Sequence, residues 1–270
     1  MSSAPKPSNR PLAVVTGASG GIGEEFARRL AQNGYDLALV ARSHARLEKL
    51  AGELRRQYHA RVQVLAVDLS HPAGPRRVVD LLADQASEVA VLINNAGFGV
   101  AGDFARMPEE EIAGQMQLNM TAVAELCRRL LPGMLARKSG RILNVGSTAA
   151  FQPGPGMAIY FATKAFVLSF SEALASELRG TGVTVTCLCP GPVATGFAAR
   201  ADVGKSRLFR SGGMSVARCV DVGYKALFKG RRVVIPGLMN WLLAFSVRFT
   251  PRRWVTWVSK KLMERPGGHR

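Results

Sequence analysis

The sequence predicts an α/β fold, a doubly wound parallel sheet with helices on both faces. Seven short runs of β-branched and aliphatic residues alternate with longer stretches of helical period, the pattern of successive βαβ units. The 270 residues, 47% hydrophobic and 20% charged, suffice for one sizeable core and exclude intrinsic disorder or a collagen-like repeat. No fixed-period repeat and no Pro/Gly linker divides the chain before about residue 236. The expected organisation is a flexible tail over 1–10, one domain over 11–236 and a C-terminal extension over 237–270.

The tail is polar and rich in Pro and Ser, which reads as frayed rather than as a signal peptide or anchor. Strand runs follow at 12–16, 36–40, 62–67, 89–93, 141–146, 183–188 and 232–235. Helical periodicity fills 22–33, 43–58, 74–86, 108–136, 157–179 and 215–228.

The net charge of +17 is unevenly placed. Residues 1–195 carry 20 basic and 16 acidic groups, a net +4, whereas residues 196–270 carry 16 and 3, a net +13. Nucleic acid would account for the total, but no groove-reading motif or aromatic stacking platform accompanies it, so no nucleic-acid partner is expected. Cys127, Cys187, Cys189 and Cys219 lack CxxC spacing and sit in apolar segments, as buried thiols do in a reducing, cytoplasmic compartment. His44, His59, His71 and His269 form no ligand spacing, and no metal is expected.

The first strand–helix junction reads Thr16-Gly17-Ala18-Ser19-Gly20-Gly21-Ile22-Gly23. Glycines there permit a tight turn and close approach of a pyrophosphate, while free N–H groups at the helix start attract the anion. Downstream come Asn94-Asn95-Ala96-Gly97 after the fourth strand, Asn119 in the long helical segment and Ser147 after the fifth strand. Tyr160-Phe161-Ala162-Thr163-Lys164 opens the next helix, and Pro190-Gly191-Pro192-Val193-Ala194-Thr195 follows the sixth strand. This series resembles the short-chain dehydrogenase/reductase family over about residues 10 to 235. The resemblance implies a Rossmann-like, seven-stranded sheet of order 3-2-1-4-5-6-7. It implies a nicotinamide cofactor held by Gly17, Ser19, Gly20, Gly21, Ile22, Gly23, Asn95, Ala96, Gly97, Tyr160, Lys164, Pro190, Gly191, Val193 and Thr195. It also implies catalysis by Ser147, Tyr160, Lys164 and Asn119, with Asn119 holding a water that links Lys164 to solvent, and a homodimer or homotetramer through the helices near 108–136 and 157–179.

Residue chemistry supports the same reading. Tyr160 and Lys164, four apart on a helix, project from one face. A phenol titrates near about 10, so acid/base work at neutral pH calls for phenolate stabilisation by the ammonium and the oxidised nicotinamide together. Ser147, at the C-terminal end of a central strand, is placed to donate to a substrate carbonyl oxygen. At the end of the second strand Ala41 stands where NAD-preferring members carry Asp, and Arg42 with Ser43 indicates NADP(H). Asp68 and Leu69 resemble the residues beside adenine. The expected reaction interconverts a carbonyl compound and an alcohol.

The substrate pocket is expected from loops 98–104 and 148–157 and a lid over 196–214. Phe98, Phe151, Pro153, Met157 and Phe197 favour an apolar substrate. Arg200, Lys205, Arg207 and Arg210 make the lid basic. In the extension, residues 233–247 are uncharged for 15 residues and stopped by Arg248, short of the roughly 20 needed to span a bilayer. Thr250-Pro251 reads as an N-cap and first helical residue. The following helix sets Trp254, Val255, Val258 and Leu262 on one side and Arg252, Arg253, Lys260 and Lys261 largely elsewhere. Such a segment fits a peripheral membrane contact, a cover over the core or a subunit contact.

Overall fold

Among the described residues a single sheet holds every strand. Its members are β1 (Leu12–Thr16), β2 (Asp36–Ala41), β3 (Val62–Ala66), β4 (Val89–Asn94), β5 (Gly140–Val145), β6 (Val183–Leu188) and β7 (Val233–Val234). The order is 3-2-1-4-5-6-7 with all neighbours parallel. The computed structural model describes residues 9–204 and 213–264. The expected tail falls almost wholly outside the described residues, as do Lys205, Arg207 and Arg210 of the expected lid.

The helices are α1 (Gly21–Gln32), α2 (His44–Tyr58), α3 (Gly74–Leu82), α4 (Glu109–Met116), α5 (Ala122–Ala136), α6 (Ala158–Glu177), α7 (Phe197–Arg200), α8 (Val216–Phe228), α9 (Leu238–Ser246) and α10 (Arg252–Met263). The central strands are apolar on both faces because both are covered. In β1 and β2, Ala13, Val15, Leu37 and Leu39 enter the core beneath α1, α2 and α8, while Leu12, Val14, Ala38 and Val40 enter the core beneath α3, α5 and α6. Full burial of each Val or Leu in these layers stabilises the fold by about 1.5–3 kcal/mol. The strand order reverses direction at β1 and β4, which opens a crevice at their C-terminal ends.

Three elements depart from expectation. The helical stretch expected at 108–136 is interrupted by a π-turn at Gln117–Thr121, where the Asn119 side chain is drawn to neighbouring backbone. The helix expected to reach 86 ends at Leu82 and passes into a 3-10 turn over Ala83–Glu88. Thr250 does not cap α10: its hydroxyl donates to Ser246 O at 2.9 Å, and Pro251 takes the N-cap position without a side-chain bond.

Candidate active site

The crevice is a cavity of about 650 Å³ that runs from the glycine-rich turn to the N-terminal part of α6. The turn is fastened to the adjacent strand end by the Asn-Asn-Ala-Gly motif. Thr16 Oγ1 accepts the Asn95 and Ala96 N–H groups at 3.0 Å each, and Asn95 Nδ2 donates to Thr16 O at 2.9 Å and Gly17 O at 3.2 Å. This close approach requires glycine at 17, where φ is +65° and a Cβ would lie 2.6 Å from Asn95 Nδ2 and 2.9 Å from the Ala96 Cα. No side chain caps the first turn of α1, which starts beside Gly20 at the cavity wall and keeps its N–H groups for an anion.

Of the residues assigned to the cofactor from sequence, all but Gly23 line the cavity. Gly23 instead lies beneath the turn against Gly17 O and Asn95, and its role is packing. At the far end of β2, Arg42 is exposed, Ser43 Oγ caps α2 by accepting the Arg46 N–H at 3.5 Å, and Arg46 joins the lining. Asp68 Oδ1 accepts from Ser70 N at 2.9 Å and from Ser70 Oγ at 2.6 Å. Partial burial pushes its carboxyl up, but these bonds and the nearby Arg42 outweigh it and hold the group below the usual value.

The opposite end of the cavity gathers Ser147, Tyr160 and Lys164. Ser147 leaves β5 as the cap of a 3-10 turn, Thr148–Phe151, its Oγ accepting the Ala149 N–H at 3.1 Å. The same side chain lies beside the Tyr160 phenol and favours its charged form. Lys164 is buried, donates to Val145 O at 2.8 Å and holds Nζ 5.8 Å from the Tyr160 ring centre.

Burial pushes the Lys164 ammonium down to about 8. It pushes the Tyr160 phenol up to about 12, against the pull of Ser147.

Asn119 does not line the cavity. Buried in the π-turn, it donates from Nδ2 to Phe98 O at 2.8 Å and Thr163 Oγ1 at 3.0 Å, and accepts the Phe98 N–H at 3.1 Å. It thus ties α6 to the loop after β4. A Cβ on Gly97 would lie 3.0 Å from Asn119 Oδ1 and 3.5 Å from Lys164 Nζ, so glycine there keeps the space between them open.

On the substrate side Phe98, Met157, Phe197 and Arg200 line the cavity as expected from sequence, whereas Phe151 and Pro153 do not. Phe151 turns instead into a small core with Val167, Cys187 and Cys189. The Phe197 ring lies 5.1 Å from that of Tyr160. Sequence reasoning missed Phe161 and the wall supplied by the extension: Asn240, Leu243 and Val247 around α9, and Val258, Leu262 and Met263 of α10. The signal for the latter was the apolar stripe of α10, read from sequence as a membrane contact, a cover over the core or a subunit contact.

The residues fit a nicotinamide dinucleotide: a tight glycine turn at an uncapped helix start, a basic edge at Arg42 and Arg46, and a continuous cleft to Tyr160 and Lys164. Sheet order and site together define a doubly wound α/β protein built to hold a dinucleotide. The chain belongs to the short chain dehydrogenase family, whose model matches residues 11–205.

A very-long-chain 3-oxoacyl-CoA reductase from Laccaria bicolor is 40% identical over 176 residues, 64% of this chain and 52% of that protein. The protein of the same name from Anas platyrhynchos is 37% identical over 190 residues, 68% and 60% of the two chains. The chain spans about half the length of the curated relatives it matches. Among solved structures, a short-chain dehydrogenase from Sphingobium yanoikuyae in complex with NADPH superposes with a TM-score of 0.79 at 35% identity, covering 88% of this chain and 94% of that one. The bulky-bulky ketone specific alcohol dehydrogenase from Comamonas testosteroni gives 0.77 at 31% identity, covering 90% and 93%.

Proposed function

We propose that the protein is an NADP(H)-dependent reductase acting on a ketone carried by a long apolar chain, with 3-oxoacyl thioesters as the substrate class. The observation that carries this reading is the continuity of one cavity from Ser147, Tyr160 and Lys164 to the apolar wall made by Leu243, Val258, Leu262 and Met263. The relatives named for 3-oxoacyl-CoA reduction support the substrate class, and the basic pair Arg42 and Arg46, without an acid at Ala41, supports the 2′-phosphate form of the cofactor.

Bound in the crevice, the cofactor supplies hydride to the carbonyl carbon. Tyr160, which burial keeps protonated, donates its proton to the carbonyl oxygen, and the Ser147 hydroxyl hydrogen-bonds that oxygen as negative charge develops. Lys164, anchored to Val145 O, keeps donors with which it would hold the cofactor ribose. Asn119 fixes the Phe98 loop against α6.

The test is NADPH oxidation with 3-oxoacyl thioesters graded in chain length, with NADH and Tyr160→Phe protein in parallel. We expect kcat/KM to rise with chain length and to fall about 10²-fold or more in Tyr160→Phe. Indifference to chain length would remove the substrate class, and an active Tyr160→Phe enzyme would remove the mechanism.

A further inference from the structure

We propose that α9 and α10 form a docking face for an anionic phospholipid bilayer, lying in its interface without crossing it. Eleven of the fifteen large exposed apolar side chains among the described residues lie between Leu238 and Leu262. They include Leu238 at 75%, Phe249 at 76%, Trp254 at 53% and Trp257 at 56% exposure. Trp241, Phe245 and Phe249 form an exposed ladder, with ring centres 5.2 and 5.3 Å apart along successive turns. A patch of this kind on a soluble surface marks an interaction site.

The chemistry of the patch selects the partner. All three tryptophans of the chain fall in it, and indole, with an apolar body and a polar N–H, favours the bilayer interface. Arg248, Arg252, Arg253, Lys260 and Lys261 are exposed in the same segment, against one acid, Glu264, which Lys261 already pairs at 3.1 Å. Arg248 lies 5.7 Å from the Phe245 ring centre, which joins the basic and apolar surfaces.

Two copies meeting through a two-fold axis would set these cations against one another, whereas an anionic headgroup layer neutralises them. The helices, of 9 and 12 residues, are about 14 and 18 Å long, too short for the roughly 30 Å hydrocarbon core. Leu243, Val258 and Leu262 are at once exposed and part of the cavity wall, so the docking face is continuous with the pocket. The inference rests on this surface alone and stands apart from the substrate reading.

The test uses the full chain with vesicles of phosphatidylcholine, with and without about a third phosphatidylglycerol, scored by flotation. Tryptophan emission is read in parallel, since every tryptophan reports from this face. We expect binding to the anionic vesicles, a blue shift in emission and quenching by lipids brominated near the headgroup end of the chain. The triple variant Arg248→Glu, Arg252→Glu, Arg253→Glu should lose at least about a hundredfold in vesicle affinity. Phe249→Ser with Trp257→Ser should lose affinity while NADPH binding and circular dichroism stay unchanged, which shows that the fold is intact. No binding at low salt, affinity unaffected by either variant, or self-association in the absence of lipid that already shifts the emission would overturn the proposal.

Discussion

Lys164→Met should give a protein that is inactive and yet more stable than the wild type at neutral pH. The ammonium is 6% exposed and titrates near 8 instead of the ordinary 10.5. That displacement corresponds to about 3 kcal/mol of penalty on the charged form. Methionine fills a similar volume without charge but leaves Val145 O without its 2.8 Å partner, a loss of about 1 kcal/mol. The net gain is about 2 kcal/mol, or about 5 °C in Tm for a chain of this size.

The sign with pH is fixed by the direction of the shift. Because the folded value lies below the unfolded one, the unfolded wild type holds the extra proton between about 8 and 10.5, and wild-type stability rises across that window. The advantage of the variant should therefore be full below pH 8, shrink above it and reverse near about pH 10. Urea unfolding followed by circular dichroism at pH 7, 8, 9 and 10 measures it. A variant less stable than wild type at pH 7, or an advantage that does not change with pH, would refute the argument that burial of this ammonium is a cost held for function.

Three further outcomes are expected. Arg42→Ala should weaken NADPH binding by about 10- to 100-fold through loss of a charge-assisted contact while altering NADH by far less; equal losses in fluorescence titrations would reject the assignment of this edge to a phosphate. Asn119→Leu should lower stability by about 2–4 kcal/mol in chemical denaturation, since it strands the Phe98 N–H and C=O, and unchanged stability would show that the π-turn does not depend on those bonds. Gly191→Ala places a Cβ 2.6 Å from Asn240 Oδ1, so it should displace α9, change Trp241 emission and raise KM for long substrates more than for short ones; silence in all three would show that α9 is not seated on the loop after β6.

The parallel α/β sheet and the glycine turn were legible in local patterns, whereas the strand order was implied by the family resemblance. Apolar runs separated by helical periods specify the sheet, and glycines between strand and helix specify the turn. Ser147, Tyr160 and Lys164 came from the resemblance of their motifs to the family, which the four-residue spacing of Tyr160 and Lys164 on one helix face supported.

What sequence did not yield depends on tertiary packing. The π-turn at Asn119 exists because its side chain satisfies the backbone of Phe98, 21 positions away. Phe151 and Phe161 are both aromatic and near the same loop, yet one faces a small core and the other the cavity. The stripe on α10 was read with Trp254 on the same side as Val255. In the structure Val255 and Ser259 are buried, while Trp254 stands exposed among the outward residues.

The extension is held far more lightly than α1, and on the proposed substrate class that bears on how a long substrate would reach Tyr160. Helix α1 buries Gly23, Phe26, Ala27, Leu30 and Ala31, whereas α9 buries only Ala244 and α10 only Val255 and Ser259. Stability within a fold is uneven and follows buried apolar contact, so elements with this little burial open at small cost compared with the sheet. At the start of α9, the Asn240 side chain donates to Pro236 O at 2.8 Å and packs on Gly191. A cover anchored at one end beside the loop after β6, and lightly held along its apolar length, fits the proposed substrate class by separating two tasks. On that proposal the sheet fixes the reacting groups, and the weakly held helices would give way to an apolar chain without disturbing them.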